Sequence, residues 1–343
     1  MDRVCLVPRL KGVGGMVSFQ YKLAEGFLSQ GIEVTYDLDE GLYAAVLVIG
    51  GTRQVEGLWR ARRGGVRIVQ RLDGMNWLHR VRHPGLRHFL RAEYGNFLLS
   101  SIRSHLAQRV VYQSLFSLKW WERVYGLTRV PHEVIYNGID LQQYSPEGPN
   151  NRPIGCCRLL LVEGSLMGGY EMGLETAVQL GLQLGDFLGE SVELTIAGRV
   201  SEQVKSSWRS RLKGDNRLEL NWAGLVPRER IPELDRSAHL LYSSDINAAC
   251  PNSVIEALAC GLPVLAFNTG ALPELVQEDA GKLVDYGGDP WNLDPPDTPA
   301  LVQAAVALYT NQDLHRQAAR QRAEAEFGLD KMVAAYRKVL LDD

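Results

Sequence analysis

The segment 250–275 constrains the fold of this chain more than any other part of the sequence. A loop of small residues leads into an apolar helix that starts near Asn252 or Ser253, and a glycine and a strand at 263–267 follow. Such a helix start presents unpaired N–H groups and the positive end of the helix dipole, which suits a phosphate. Glu256 lies about one turn into the helix, where its carboxylate can accept hydrogen bonds from a ribose diol. These residues alone leave open an ordinary capped helix of an α/β domain.

Strands alternate with helices along the whole chain, which predicts two parallel, doubly wound α/β domains. Sheets of this kind bind ligands beyond the carboxyl ends of their strands. A stretch rich in Pro and Asn at 145–153 indicates a linker. We therefore expect an N-terminal domain over 1–150, a C-terminal domain over 151–325 and a final helical segment over 326–343. The predicted strands are 3–7, 32–36, 44–49, 66–69, 110–112, 133–136, 158–163, 192–197, 218–222, 239–242 and 263–267.

Length and composition are compatible with this organisation. The 343 residues, of which 45% are hydrophobic, are enough for two ordinary cores. The longest apolar run, at 42–51, is too short to span a bilayer, and the N-terminus lacks a signal-peptide pattern. The five cysteines and the histidines show no metal-ligand spacing, so we expect reduced thiols, no metal and no cofactor in a cytoplasmic protein.

The two halves of the chain differ in charge. Residues 1–150 contain 19 Lys and Arg against 13 Asp and Glu, although the whole chain has a net charge of −3. Twelve arginines lie between residues 53 and 109, where they interleave with Leu, Phe and Ile. A basic amphipathic stretch suits an anionic membrane surface or an anionic acceptor, with scattered solvated arginines as the alternative. Nucleic acid is not expected as a partner, because the net charge is negative and no reading motif is present.

The order of the motifs in 250–275 resembles the donor-binding signature of the retaining glycosyltransferases of family 4, known as glycosyl transferases group 1. That signature is Glu-x7-Glu, Ala-x-Ala-x-Gly-x-Pro-Val and Gly-x-x-x-Glu. Glu256 supplies the second glutamate, 260–264 reads Cys-Gly-Leu-Pro-Val, and Gly270 and Glu274 supply the tail. The resemblance implies a GT-B fold, in which two Rossmann-like domains flank a cleft and the final helix returns to the first domain. It also implies a donor site formed by Pro251, Asn252, Ser253, Val254, Glu256, Gly270 and Glu274.

The N-terminal half resembles the family more loosely. Gly14 and Gly15 stand where these enzymes place a Gly-Gly loop, which lets the backbone approach a ligand without an intervening Cβ. The segment 137–140 reads Asn-Gly-Ile-Asp, which matches the family's pre-linker motif. Asp73 follows a strand directly and is expected on the acceptor side of the site; a plain turn is the alternative.

Two departures from the family pattern bear on catalysis. Ala248 stands where the first glutamate of the signature is expected, which concerns the contact with the donor sugar. No basic residue lies between 164 and 173, where the family carries a diphosphate-binding pair. We expect Arg199, at the end of a predicted parallel strand, to take over this role, assisted by the N–H groups of Gly168 and Gly169.

The sequence therefore predicts a cytoplasmic retaining GT-B glycosyltransferase that needs no metal. It moves a hexose from a nucleotide-diphosphate sugar, with UDP favoured, to a glycan or lipid-linked acceptor in polysaccharide synthesis. Asp73 and Arg199 are its predicted catalytic residues. Two alternatives remain: a nucleotide-sugar-binding protein that has lost catalysis, and a GT-B sugar epimerase.

Overall fold

The computed structural model describes residues 3–12, 14–82, 85–167 and 171–342. The chain divides into two compact units. The first comprises Met1–Gly138 together with Phe327–Asp343, and the second comprises Ile139–Glu326. The chain thus enters the second unit at Ile139, before the linker at 145–153 and not after it.

The first unit contains a six-stranded parallel sheet within its described residues. The central strand β3 has the sequence Ala-Val-Leu-Val-Ile and is buried on both faces, as a strand covered by helices on each side requires. The spatial order is β2-β1-β3-β4-β5-β6. The strands are β1 (Arg3–Val7), β2 (Glu33–Thr35), β3 (Ala45–Ile49), β4 (Arg67–Leu72), β5 (Arg109–Tyr112) and β6 (His132–Val134).

Helices cover both faces of this sheet. The first helix buries Phe19, Leu23 and Phe27, which recur every four residues and form one apolar face. On the other face, Leu58 and Ile102 pack against the strands. The helices are α1 (Gly15–Ser29), α2 (Val55–Arg63), α3 (Leu78–Arg82), α4 (Leu86–His105) and α5 (Leu115–Tyr125).

The second unit contains another six-stranded parallel sheet within its described residues, in the order β12-β11-β10-β7-β8-β9. The strands are β7 (Cys157–Ser165), β8 (Val192–Arg199), β9 (Leu218–Gly224), β10 (Leu240–Ser243), β11 (Val264–Phe267) and β12 (Gly281–Val284). The helices are α6 (Glu171–Leu188), α7 (Glu202–Arg211), α8 (Ile231–Ser237), α9 (Asn252–Ala259), α10 (Leu272–Leu275), α11 (Thr298–Thr310) and α12 (Gln312–Glu326).

The last helix, α13 (Leu329–Leu341), belongs to the first unit. Its buried residues Val333 and Tyr336 join the core formed by α1 and β1, and the Tyr336 ring lies 5.1 Å from that of Phe19. A Cβ added to Gly26 would lie 2.4 Å from Val333, so the two helices are in close contact. No helix among the described residues is long and apolar enough to cross a membrane.

Candidate functional site

The carboxyl ends of the strands in the second unit define the first group of candidate residues. Because the strands are parallel, β7, β8, β10 and β11 end at the same edge of the sheet. The segment that follows β10 leads to the start of α9, so the N-terminus of this helix lies at that edge. Arg199 is the last residue of β8 and ends at the same edge. The fold therefore brings two predicted elements of the phosphate site to one side of one sheet.

The start of α9 differs in one detail from an Asn- or Ser-headed helix. Pro251 is the N-cap, and Asn252 begins the helix. Proline has no side-chain acceptor, and its position carries no side-chain capping hydrogen bond. The first turn also lacks an acidic residue, so the positive end of the helix dipole is not offset locally. The apolar side of α9 is fixed by Val254, which is fully buried.

Glu256 is half-buried and lies one turn into α9. Its charge acts on two interior groups of the same unit. Burial raises the pKa of the Tyr144 hydroxyl, and the Glu256 carboxylate raises it further. The pKa of the buried Asp235 carboxyl is raised by the same two causes, burial first. Glu256 is therefore an anionic group close to the interior of the second unit and still partly accessible.

The turn after β11 packs tightly against the segment that precedes α9. Gly270 has a φ of +61°, and a Cβ at this position would lie 2.6 Å from both the N and O atoms of Ala248. The Ala271 N–H donates to the Ala248 carbonyl at 2.8 Å. The backbone that surrounds the missing glutamate is thus held by the Gly270 turn. Glu274 follows in α10, where its carbonyl accepts a hydrogen bond of 2.7 Å from Arg322.

Arg199 has an exposed side chain. Its guanidinium forms no ion pair or hydrogen bond within the described part of the chain, which leaves it available to an anionic ligand. Its backbone carbonyl accepts from the Leu166 N–H at 2.9 Å, so the strand end is held against the segment after β7. Gly168 and Gly169, which we expected to assist Arg199, lie outside the described residues.

The sequence interpretation did not single out two acidic residues at this edge. Glu163 lies near the end of β7, and Asp245 follows β10, the neighbouring strand. The Ser244 hydroxyl donates to Glu163 Oε1 at 3.1 Å. A charged residue that ends an otherwise apolar run, as in Leu-Leu-Leu-Val-Glu, is the signal that was available for Glu163. Its proximity to Asp245 depends on strand order and has no sequence signal.

The first unit places Gly14, Gly15 and Asp73 at the carboxyl edge of its own sheet. Gly14 is the N-cap of α1 with a φ of +139°, and Gly15 is the first helical residue. Gly14 is exposed, and a Cβ there would meet no atom within 4 Å, so its backbone conformation, not packing, requires glycine. The side chain of Gln20 holds the preceding loop through hydrogen bonds to Pro8 and Leu10, both 2.8 Å long.

Asp73 immediately follows β4 in a turn that α5 fixes. Its carbonyl accepts hydrogen bonds from the Ser117 hydroxyl at 2.9 Å and from the Trp121 indole at 2.7 Å. Burial raises the pKa of the Asp73 carboxyl, and the nearby Arg71 guanidinium partly offsets the increase. Arg71 is itself buried, lies 3.7 Å from the centroid of the Phe19 ring, and donates to Asn137 Oδ1 at 2.9 Å. Asp73 is thus a carboxyl group with increased basicity in a rigid turn.

Comparison with known proteins shows what this chain is similar to. Residues 172–311 match the family described as Glycosyl transferases group 1. N-acetyl-alpha-D-glucosaminyl L-malate synthase of Bacillus anthracis is 29% identical over 118 residues, which cover 32% of this chain and 29% of that protein. A phosphatidylinositol N-acetylglucosaminyltransferase component of Arabidopsis thaliana is 22% identical over 184 residues, which cover 53% of this chain and 38% of that protein. The matches span about a third of these two relatives.

Solved structures match nearly the whole chain. Sucrose-phosphate synthase from Thermosynechococcus elongatus has a TM-score of 0.72 at 16% identity and covers 99% of this chain and 98% of its own. WaaG, a glycosyltransferase involved in lipopolysaccharide biosynthesis, has a TM-score of 0.71 at 14% identity over 99% and 100% of the two chains. Anabaena Alr3699/HepE in complex with UDP has a TM-score of 0.68 at 17% identity, with 99% of each chain covered. The fold is therefore that of the GT-B glycosyltransferases, with two Rossmann-like units.

Proposed function

We propose, from the premise that residues 172–311 match the glycosyl transferases group 1 family, that this chain transfers a hexose from a UDP-sugar to a glycan or lipid-linked acceptor. The start of α9, whose N-cap makes no side-chain hydrogen bond, and Arg199 lie at the same edge of the sheet, and this arrangement supports the proposal. The relatives named above include a protein crystallised with UDP and two proteins named for N-acetylglucosaminyl compounds, which supports a nucleotide-sugar donor.

In the proposed donor site, the diphosphate lies on the first N–H groups of α9. The amides of 252–254 supply oriented donors, and Arg199 supplies the positive charge that the segment 164–173 lacks. Glu256 accepts hydrogen bonds from the ribose diol, one turn farther along the helix. Pro251, Gly270 and Glu274 line the same pocket.

The proposed reaction retains the configuration of the sugar and needs no metal. A nucleophilic carboxylate is not available at Ala248, so the acceptor attacks from the face that the diphosphate leaves. In this mechanism Arg199 and the α9 amides stabilise the departing UDP, which takes the place of a metal ion. Asp73 receives the proton of the acceptor hydroxyl, and its raised pKa suits a general base. Gly14 and Gly15 allow a close approach of the backbone on the acceptor side.

A nucleotide-sugar-binding protein without catalysis is the second candidate. Ala248 and the absence of a basic pair in 164–173 favour it, because both departures remove groups that act in the chemical step. Isothermal titration with UDP and GDP, followed by a donor hydrolysis assay across UDP- and GDP-sugars, distinguishes the candidates. Binding of UDP with release of free sugar indicates a transferase, and tight binding without release indicates a binding protein. Interconversion of the sugar without release indicates an epimerase. Absence of nucleotide binding refutes the donor site.

The surface of α4 supports a lipid-linked acceptor. Leu86, Leu90, Tyr94 and Phe97 recur at helical spacing and are 74%, 59%, 52% and 64% exposed. A stripe of this size is rarely left in water without a partner. The exposed Arg87 lies beside it, and so does Arg91 in the next turn. We define these six residues as the α4 stripe and propose that it lies on an anionic bilayer at the cytoplasmic face.

Arg80, in the same basic stretch, is already paired with an acidic side chain. Arg80 forms two hydrogen bonds, of 2.7 and 3.0 Å, with the Glu93 carboxylate. The Arg80 side chain holds the pKa of Glu93 down to about 2, so this carboxylate offsets the Arg80 charge throughout the neutral range. Arg87 and Arg91 therefore carry more of the attraction than Arg80 does.

Sedimentation with vesicles tests the membrane proposal. Each basic residue near an anionic surface contributes about 1 kcal/mol, so Arg87→Gln with Arg91→Gln should lower partitioning into phosphatidylglycerol vesicles roughly 10- to 30-fold at low salt. The exposed residue Arg209 in α7 provides a matched control, and Arg209→Gln should have no effect. If the unmutated protein stays in the supernatant, the acceptor is soluble and the α4 stripe has another role.

A further inference from the structure

Glu163 and Asp245 follow neighbouring strands at the edge of the sheet that receives the proposed donor, and the charge of Asp245 acts on Glu163. Strand β7 lies between β10 and β8, so Glu163 stands in the middle of the edge, with Asp245 on one side and Arg199 on the other. The hydroxyl of Ser244, the residue before Asp245, donates a hydrogen bond to Glu163 Oε1 at 3.1 Å. The pair is therefore built from two strands that are adjacent only in the folded chain.

Two glycines pack closely against the backbone of Glu163 and against Ser244. A Cβ at Gly198 in β8 would lie 2.3 Å from the Glu163 carbonyl oxygen. A Cβ at Gly173 in α6 would lie 2.7 Å from both Cβ and Oγ of Ser244. Neither glycine has a φ in the left-handed region. A side chain at either position would therefore disturb the close packing against Glu163 or Ser244 and would not strain the backbone. The surroundings thus hold Glu163 and Ser244 in place from both sides.

Burial favours the protonated form of both carboxyl groups. Burial and, to a smaller extent, the Asp245 carboxylate raise the pKa of Glu163 to about 8. Burial also raises the pKa of Asp245, to about 6. Neither group has an ion pair with a basic side chain within the described ranges. A protonated carboxyl group can donate a hydrogen bond and a carboxylate can accept several, so the pair can do both.

A second observation comes from the loop that carries Asp245. Asn247, two residues farther on, is only 5% exposed, and its amide Nδ2 has no hydrogen-bond partner within the described part of the chain. It also has a φ of +57°, in the left-handed region that few non-glycine residues adopt. A buried donor without an acceptor is unfavourable, and a bound ligand with an oxygen acceptor would satisfy it.

We propose that Glu163, Asp245 and Asn247 bind the hydroxyl groups of the donor hexose, and thereby replace the carboxylate that the family places at Ala248. Asp245 lies three residues before Ala248, in the loop that the Gly270 turn holds. A polyol suits this set, because each hydroxyl both donates and accepts a hydrogen bond. A phosphate does not suit it, because these three side chains supply no positive charge. This inference rests on the proposed function, because it assumes a UDP-hexose donor.

Isothermal titration with two ligands, UDP and a UDP-hexose, tests the pair. The hexose is glucose or N-acetylglucosamine, whichever the unmutated protein binds more tightly. Glu163→Gln and Asp245→Asn keep the shape of each side chain, and each should weaken UDP-hexose binding about 10- to 100-fold, with UDP affinity changed less than about twofold. Glu219→Gln, at an exposed position of β9 in the same sheet, is the matched control and should change neither affinity.

The two ligands separate failure of the inference from failure of the proposed function. If both variants bind UDP-hexose as the unmutated protein does, the carboxyl pair does not bind the sugar, while the donor site stands. If UDP and UDP-hexose affinities fall together, the pair supports the fold of the edge and the inference is wrong. If the unmutated protein binds neither ligand, the proposed function fails first, and this inference fails with it.

Discussion

Replacement of Gly270 by alanine tests whether the turn after β11 holds the loop before α9. The new Cβ would lie 2.6 Å from two backbone atoms of Ala248, well inside the usual contact distance of about 3.5–4.0 Å. Backbone atoms cannot rotate away, so the loop must shift. Overpacking of this kind costs about 1–3 kcal/mol. The φ of +61° adds about 1–2 kcal/mol for any residue with a Cβ. We therefore expect Gly270→Ala to lower the free energy of unfolding by about 2–5 kcal/mol.

Two other glycines of the second unit serve as controls, because they have a similar φ but lack the close contact that Gly270 makes with Ala248. Gly224 and Gly189 have φ values of +68° and +67°, and a Cβ at either position would meet no atom within 4 Å. Gly224→Ala and Gly189→Ala should therefore lose only the conformational part, about 1–2 kcal/mol each. Urea denaturation with linear extrapolation measures all three variants. The excess loss in Gly270→Ala is the cost of the clash with Ala248.

The same variants connect the turn to ligand binding. The loop that Gly270 holds leads directly into the start of α9, so its displacement should weaken UDP binding in Gly270→Ala. The two control variants should bind UDP as the unmutated protein does. Equal losses of stability in all three variants would refute the reasoning, because the loop would then move aside without cost. If Gly270→Ala is destabilised but binds UDP with unchanged affinity, the turn does not contribute to the UDP site.

Three further predictions concern charged groups of the second unit. Glu256→Ala should weaken UDP binding by about 1.5–3 kcal/mol, and 2′,3′-dideoxy-UDP, which lacks the diol, should show no such loss by calorimetry. Arg199→Ala should reduce turnover of the donor far more than uridine binding, whereas Arg209→Ala should change neither; equal losses would indicate a structural role. Native Glu163 retains its proton up to about pH 8, whereas in the unfolded chain it loses the proton near the ordinary glutamate pKa of 4.5. The free energy of unfolding should therefore fall as pH rises from about 4.5 to about 8. Glu163→Gln should flatten the decrease in unfolding free energy between about pH 5 and about pH 8, and a parallel profile in both proteins would contradict the raised pKa.

Local sequence signals predicted most of the regular structure. The final helix spans Leu329–Leu341, as its apolar periodicity indicated, and the strand predicted at 3–7 is Arg3–Val7. The apolar face of a helix and the apolar run of a buried strand are set by near neighbours in the chain, so they can be read without the fold. The motif-bearing helix and strand of 250–275 were located in the same way. The agreement with GT-B structures confirms the predicted fold class.

Local sequence signals did not predict structure that depends on contacts between separate parts of the chain. Strand β12, Gly281–Val284, was not predicted, because its four residues form a strand by pairing with β11 at the sheet edge.

The sequence by itself determined the fold class and located the helix start at Asn252 and the strand that ends at Arg199. These features depend on periodicity, on turn residues and on motif spacing, all of which are local. Only the tertiary structure decided that Gly270 packs against Ala248 and that Ser244 reaches Glu163, because each contact joins segments far apart in the chain. It also decided the charge of the carboxyl pair, since burial sets the protonation of Glu163 and Asp245, and burial arises only when the strands meet.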